Sequence, residues 1–180
     1  MTDWPQIVEQ HGPLVWRTAY RLLGNEPDAA DCFQRAFLAA VELASSETVR
    51  NWPALLRRLA TARALDRLRQ RGRDAKRFER LPETGRVDGK AIDPHRAAEA
   101  NELAAHLRDA LAELDATQGQ VFCLASLEGL SYQEIADQVG ITVNHVGVLL
   151  NRARATLRER LRAHQRAPAA EGFRKEVSHE

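Results

Sequence analysis

The stretch from Leu130 to Leu150, LSYQEIADQVGITVNHVGVLL, decides how the rest of the chain is read. Ser131 and Glu134 form the S-x-x-E pattern of a capping box, flanked by Leu130 and Ile135 as a hydrophobic staple, so a helix starts there. Gly140 stops that helix, and Thr142 caps the next after a turn of three to four residues. Ile135, Ala136, Val139, Ile141, Val146 and Leu150 would then close a small shared core. This is the pattern of a helix-turn-helix, whose second helix enters a DNA major groove with its N-terminal residues at base edges. A plain helical hairpin is the simpler alternative, but the short turn, the small Ala136 and the double capping favour the DNA-reading motif. From Val143 to Asn151, however, there is no Lys or Arg. A helix so poor in cations must draw its affinity for a polyanion from elsewhere.

The charge distribution supplies two sources. The whole 180-residue chain carries a net +1, yet residues 57–80 hold ten Lys/Arg against three Asp/Glu, and residues 152–166 hold six Arg against one Glu. Those blocks sum to +7 and +5, which leaves −11 for the rest. Two basic blocks in an acidic body suggest two contacts with a polyanion and an acidic surface for another partner; solvated Arg-rich helices are the bland alternative.

The periodicity predicts an all-α chain of two small helical domains joined by a flexible linker, with 44% hydrophobic residues to fill the cores. The first domain is expected over 1–71. In PLVWRTAYRLL, residues Leu14, Val15, Ala19, Leu22 and Leu23 fall near helical spacing, and Gly24 stops the helix. Asn25 caps the next helix, with Pro27 and Asp28 in its first turn and an apolar stripe of Ala30, Phe33, Phe37, Leu38 and Val41. After the break SSETVRNWP, a third helix places Leu55, Leu59, Ala62, Leu65 and Leu68 on one face and a cluster of Arg on the other. Residues 72–98 lose the pattern and read as the linker. The second domain spans 99–164, opening with a stripe of Leu103, Leu107, Leu111 and Leu114. The tail, 165–180, is polar and receives no function.

Several function classes are poorly supported. No window approaches the length of apolar run that spans a bilayer, and the N-terminus lacks a signal-peptide pattern, so a cytoplasmic protein without membrane partners is expected. Cys32 and Cys123 lie far apart without CxxC or Cys/His spacing, and the six histidines form no ligand set, so no metal or cofactor is expected. No nucleophile motif or phosphate loop points to an enzyme.

Taken together, three stretches resemble the ECF (extracytoplasmic-function) class of bacterial sigma factors, in the sigma-70 family. GNEPDAADCFQRAFLAA is similar to the region 2 helix that docks on RNA polymerase; WPALLRRLATARALDRLRQRGR to the helix that engages the promoter melting element; and LAELDATQGQVFCLASLEGLSYQEIADQVGITVNHVGVLLNRARATLRERL to region 4. The resemblance implies a protein that binds the bacterial RNA polymerase core and directs initiation at promoter DNA. Asp28, Asp31, Gln34 and Phe37 would bind core polymerase. The loop from Ser45 to Trp52 would hold a melted base, with Trp52, Arg57, Arg58, Arg63, Arg67 and Arg69 contacting melting-element DNA. Thr142, Asn144, His145, Val148, Asn151, Arg152 and Arg154 would face the upstream element, with Asn and aliphatic side chains leaning toward A/T base pairs.

The chain also departs from the family. Ala62 stands where an Asn is common, and Trp52 replaces a Trp usually found near Leu55. Gly119, Gly147 and Leu149 occupy positions that are usually basic, and losing two recognition-helix phosphate contacts would lower the salt dependence by a slope of about 2. The class is often held by an anti-sigma factor, though no residue here identifies one. A stand-alone helix-turn-helix regulator and a degenerate sigma-like interaction module are the alternative functions.

Overall fold

The structure, a computed structural model, describes residues 2–77 and 94–166. In that part the chain forms α1 (Trp4–Leu23), α2 (Glu26–Ser46), α3 (Trp52–Arg77), α4 (Pro94–Glu113), α5 (Ala116–Ser126), α6 (Tyr132–Val139) and α7 (Val143–Arg166). The helix boundaries follow the capping chemistry. Gly24 takes φ 71°, a left-handed backbone that suits a residue without Cβ, and its N–H returns to the Tyr20 carbonyl. The Asn25 side chain accepts from the Asp28 N–H at 3.0 Å, and the Asn51 side chain accepts from the Ala54 N–H at 3.0 Å. α1 is longer than the sequence suggested and carries Pro13 in its interior, on the exposed side. That proline removes one N–H donor from the ladder.

The capping box at α6 is formed as expected. The Ser131 N–H donates to Glu134 Oε2 at 2.8 Å, and the Glu134 N–H donates to Ser131 Oγ at 3.3 Å. Gly140 adopts φ 76° and ends the helix, and Thr142 Oγ1 accepts from the His145 N–H at 3.2 Å. Ile135, Ala136, Val146 and Leu150 are buried together, joined by Val121, Leu124, Leu130 and Leu149. The helix-turn-helix therefore rests on α5 as its floor.

Two expected stripes shift. On α2 the buried face is made of small residues, Ala29, Cys32, Ala36, Ala39 and Ala40, together with Phe37, while Leu38 is 62% and Val41 42% exposed. Alanines are favoured there because α2 packs against both α1 and α3, and close helix approach excludes larger side chains. Of the stripe expected around α4, Leu111 and, just past the helix end, Leu114 are buried, but Leu103 is 55% exposed. The expected linker region is also helical at both margins, since α3 continues to Arg77 and α4 starts at Pro94. The remainder of that segment, and most of the tail, lie outside the described residues.

The two blocks do not stand apart. α1, α2 and α3 enclose one core around Val15, Phe37, Leu56 and Leu59. A second cluster unites both blocks: Leu22, Leu23, Ala64, Leu65 and Leu68 from the first meet Leu111, Leu114, Cys123, Ala153 and Leu157 from the second. α3 is the shared element, packing against α1 and α2 on one side and α4 and α5 on the other.

Candidate nucleic-acid interface

Three surfaces emerge from this framework. The first is on α2. Asp31, Gln34, Leu38 and Val41 recur at three- and four-residue steps, which places them on one side of a helix. Asp31 is half-buried and pairs with Arg35 at 2.9 Å, whereas Gln34, Leu38 and Val41 are exposed. Asp28 and Phe37, expected on the same surface, turn inward and correct that expectation. Phe37 packs in the core against Phe33, with the rings tilted at 53° and their centroids 4.9 Å apart. Asp28 is 9% exposed and lies between Arg67 and Arg71. Burial pushes its carboxyl up, but the Arg67 hydrogen bond and the charges of Arg71 and Arg67 outweigh that and hold it below the usual carboxylate value. The Asp28 hydrogen bond in turn raises Arg67. The exposed Leu38 and Val41 were missed because the sequence stripe assigned them to the core; only the run of alanines beside them hinted at the rotation.

The second surface surrounds the start of α3. A cavity of about 560 Å³ opens between Gln6 and Gln10 of α1, the 44–49 segment and Trp52. Trp52 meets Trp4 edge to face, with centroids 5.3 Å apart at 78°. Part of the loop expected to hold a base, residues 45–49, lines this open cavity together with the Trp52 ring and the amide side chains of Gln6 and Gln10. The cations beyond it differ in availability. Arg63 is exposed and Arg58 half-buried, and neither has an ion pair among the described residues. Arg57 Nε lies 3.3 Å from Glu128 Oε2, Arg67 Nε donates to Asp28 at 3.0 Å, and Arg69 binds Asp66 at 3.0 Å. Leu55 and Ala62 are half-buried.

The third surface is the N-terminal part of α7. Thr142, Asn144, His145, Val148, Asn151, Arg152 and Arg154 are all exposed, and Asn144, Val148, Asn151 and Arg152 share one helical side. Leu149 is 6% exposed within the helix-turn-helix core, so, contrary to expectation, no phosphate contact is lost at that position. Gly147 is half-buried beside the Tyr132 ring, at ordinary contact distance for an added Cβ.

Comparison with known proteins agrees with this division. The model "Sigma-70 region 2" matches residues 7–74, covering α1 to α3, and "Sigma-70, region 4" matches 105–157, covering the helix-turn-helix. The chain belongs to the sigma-70 family. Within the family it is 34% identical over 165 residues to the ECF RNA polymerase sigma factor SigE of Mycolicibacterium smegmatis, covering 91% of this chain and 63% of that protein. It is 28% identical over 163 residues to the ECF RNA polymerase sigma factor SigW of Bacillus subtilis, covering 87% of each. The chain thus spans a little under two thirds of the SigE relative. Among solved structures, this sigma-70 family chain resembles the sigma factor RpoE of Bartonella quintana, in complex with the anti-sigma factor NepR, in fold (TM-score 0.55, 22% identity, 90% of this chain and 98% of that one). It also resembles CnrH, in complex with the cytosolic domain of CnrY (TM-score 0.53, 27% identity, 88% of this chain and 87% of that one). No helix among the described residues is long and apolar enough to cross a membrane.

Proposed function

We propose that this chain is an ECF sigma factor: it binds the RNA polymerase core and directs initiation at a particular set of promoters, in the cytoplasm where the polymerase works. The observation that carries this is the pair of family matches, in order, on two helical blocks whose second leaves the first half of α7 with an exposed polar face. No catalytic group is required of the chain, because the polymerase performs the chemistry.

The division of labour follows the three surfaces. Asp31, Gln34, Leu38 and Val41 dock on the core, combining apolar area with a carboxylate suited to a basic surface. The cavity at Trp52 receives an unstacked base, and Arg58 and Arg63 hold the bared phosphates, with Arg57, Arg67 and Arg69 adding charge as their intramolecular partners release them. Asn144, Val148 and Asn151 read base edges upstream, and Arg152, Arg154 and Arg158 supply phosphate contacts that the start of α7 lacks. Attachment to polymerase raises the effective concentration of this weak reader at its site. An anti-sigma factor is the regulator class that the RpoE relative suggests for this chain.

Run-off transcription with purified core polymerase on candidate promoters tests the proposal. Transcripts whose start sites depend on the added chain are the expected result. Absence of any transcript, with no comigration of chain and core on size exclusion, would overturn it.

A further inference from the structure

Val143, Gly147 and Asn151 stand one turn apart along α7, in a row beside Asn144, Val148 and Arg152. Gly147 leaves a gap in the first row, and α6 fills it. Tyr132, the first residue of α6, brings its ring Cε2 to 3.7 Å from where a Gly147 Cβ would stand. Cε2 adjoins the carbon that bears the hydroxyl, so the polar end of the ring lies at the edge of the reading face. Tyr132 is 41% exposed, and its hydroxyl has no hydrogen-bond partner among the described residues. The nearby carboxylate of Glu134 is engaged elsewhere: its Oε2 accepts from the Ser131 N–H at 2.8 Å and from the Ser131 hydroxyl at 2.7 Å.

The glycine is a poor helix former, so the helix itself does not ask for it. What it provides is room for the ring, since the outer atoms of any side chain longer than alanine would run into Tyr132. In a helix-turn-helix the second helix lies in the major groove while the first crosses the DNA backbone. A side chain that α6 lends to the flank of α7 therefore meets the groove wall, which is phosphate. A phenol hydroxyl is a donor, and a phosphate oxygen accepts from it.

We propose that Tyr132 is a phosphate-contacting residue of the upstream-element interface, its hydroxyl donating to a backbone phosphate oxygen at the groove wall while Gly147 keeps the ring in place. Such a contact suits a helix with no Lys or Arg from Val143 to Asn151. It fixes the register of α7 on the duplex without a charge, so it adds affinity without releasing a counterion and carries no base preference. This rests on the sigma-factor reading, in that it sets duplex upstream DNA against α7.

Tyr132→Phe removes the hydroxyl alone. It is tested in holoenzyme, by bandshift over a salt series, on a promoter duplex from which the wild-type chain initiates. The expected result is about fivefold weaker binding at every salt concentration, with an unchanged salt slope and the same factor when single upstream base pairs are replaced. Arg152→Ala, the charged comparison, should instead lower the slope by about 1. Gly147→Leu should lose as much as Tyr132→Phe, and the double variant no more than either, because both act through one contact. Circular dichroism and Tm at wild-type values verify folding; should Gly147→Leu fail to fold, Tyr132→Phe decides alone. Binding by Tyr132→Phe within twofold of wild type, a lowered salt slope, or a loss that depends on one base pair would each overturn the inference, as would wild-type binding by folded Gly147→Leu. Run-off transcription separates the two readings: wild-type transcripts together with wild-type binding by Tyr132→Phe would sink the tyrosine contact alone, and no transcripts from wild type would sink the sigma-factor reading.

Discussion

Asp28→Ala removes the carboxylate that joins the start of α2 to the end of the cationic helix. In the native chain it accepts from Arg67 Nε at 3.0 Å and also pairs with Arg71. A charge-assisted hydrogen bond contributes about 1.5–3 kcal/mol, but both guanidinium side chains are about a third exposed, 33% and 34%, so water replaces part of what is lost. The net destabilisation should be about 2 kcal/mol, or roughly 4–8 °C in Tm for a chain of this size. The effect has a pH signature. The folded carboxyl is held below 3.8, so its stabilisation is fully present above that value and is lost as pH falls through the lower folded pKa. The gap between wild type and variant in urea melts should therefore be widest near neutral pH and should narrow in acid. In an Arg67→Ala/Arg71→Ala background the same substitution should cost far less. Core-polymerase binding by Asp28→Ala, measured below its melting range, should remain within about twofold of wild type, because the carboxylate faces inward. A loss under about 0.5 kcal/mol, an equal loss in both backgrounds, or a selective collapse of polymerase binding would each refute the reasoning.

Leu38→Gln, at a 62% exposed position, should leave Tm nearly unchanged while weakening association with core polymerase about tenfold in a competition assay. Asn144→Ala should reduce binding of the polymerase-bound chain to its upstream element by about 1–3 kcal/mol and relax preference at one base pair; bandshifts indifferent to A/T replacement would remove the base-reading role. Cys32 and Cys123 are buried, and burial pushes both thiols up to about 12, so neither should react with a thiol reagent at pH 8 in the native state and both should react in denaturant.

The helix-turn-helix was legible because its signals are local. A capping box, a glycine stop and a threonine cap each depend on residues within a few positions, and each formed as the pattern implied. The α2 stripe was misjudged because periodicity favours large apolar residues, whereas a helix wedged between two others buries its alanines and leaves Leu38 outside. Asp28 looked like a favourable charge at a helix start, and only the fold brings Arg67 and Arg71, some forty residues further on, against it. The seam between the blocks was invisible for a related reason. Leu65, Leu68, Leu111 and Leu114 had each been assigned to a core within their own block, and nothing in the spacing says that the cores are one.

α7 runs unbroken for 24 residues, about 36 Å at the α-helical rise. Asn144 and Val148 stand near one end, while Ala153 and Leu157 are gripped at its midpoint by the shared core. Because Val146, Leu149 and Leu150 also tie the helix to α5 and α6, α7 is a lever that carries the whole helix-turn-helix with it. A swing of about 5° about Ala153 would move Asn144, about 14 Å along the helix, by about 1 Å, enough to lengthen a base contact. On the proposed reading of upstream DNA by α7, substitutions at Ala153 and Leu157, buried in the shared core, should shift promoter preference from a distance.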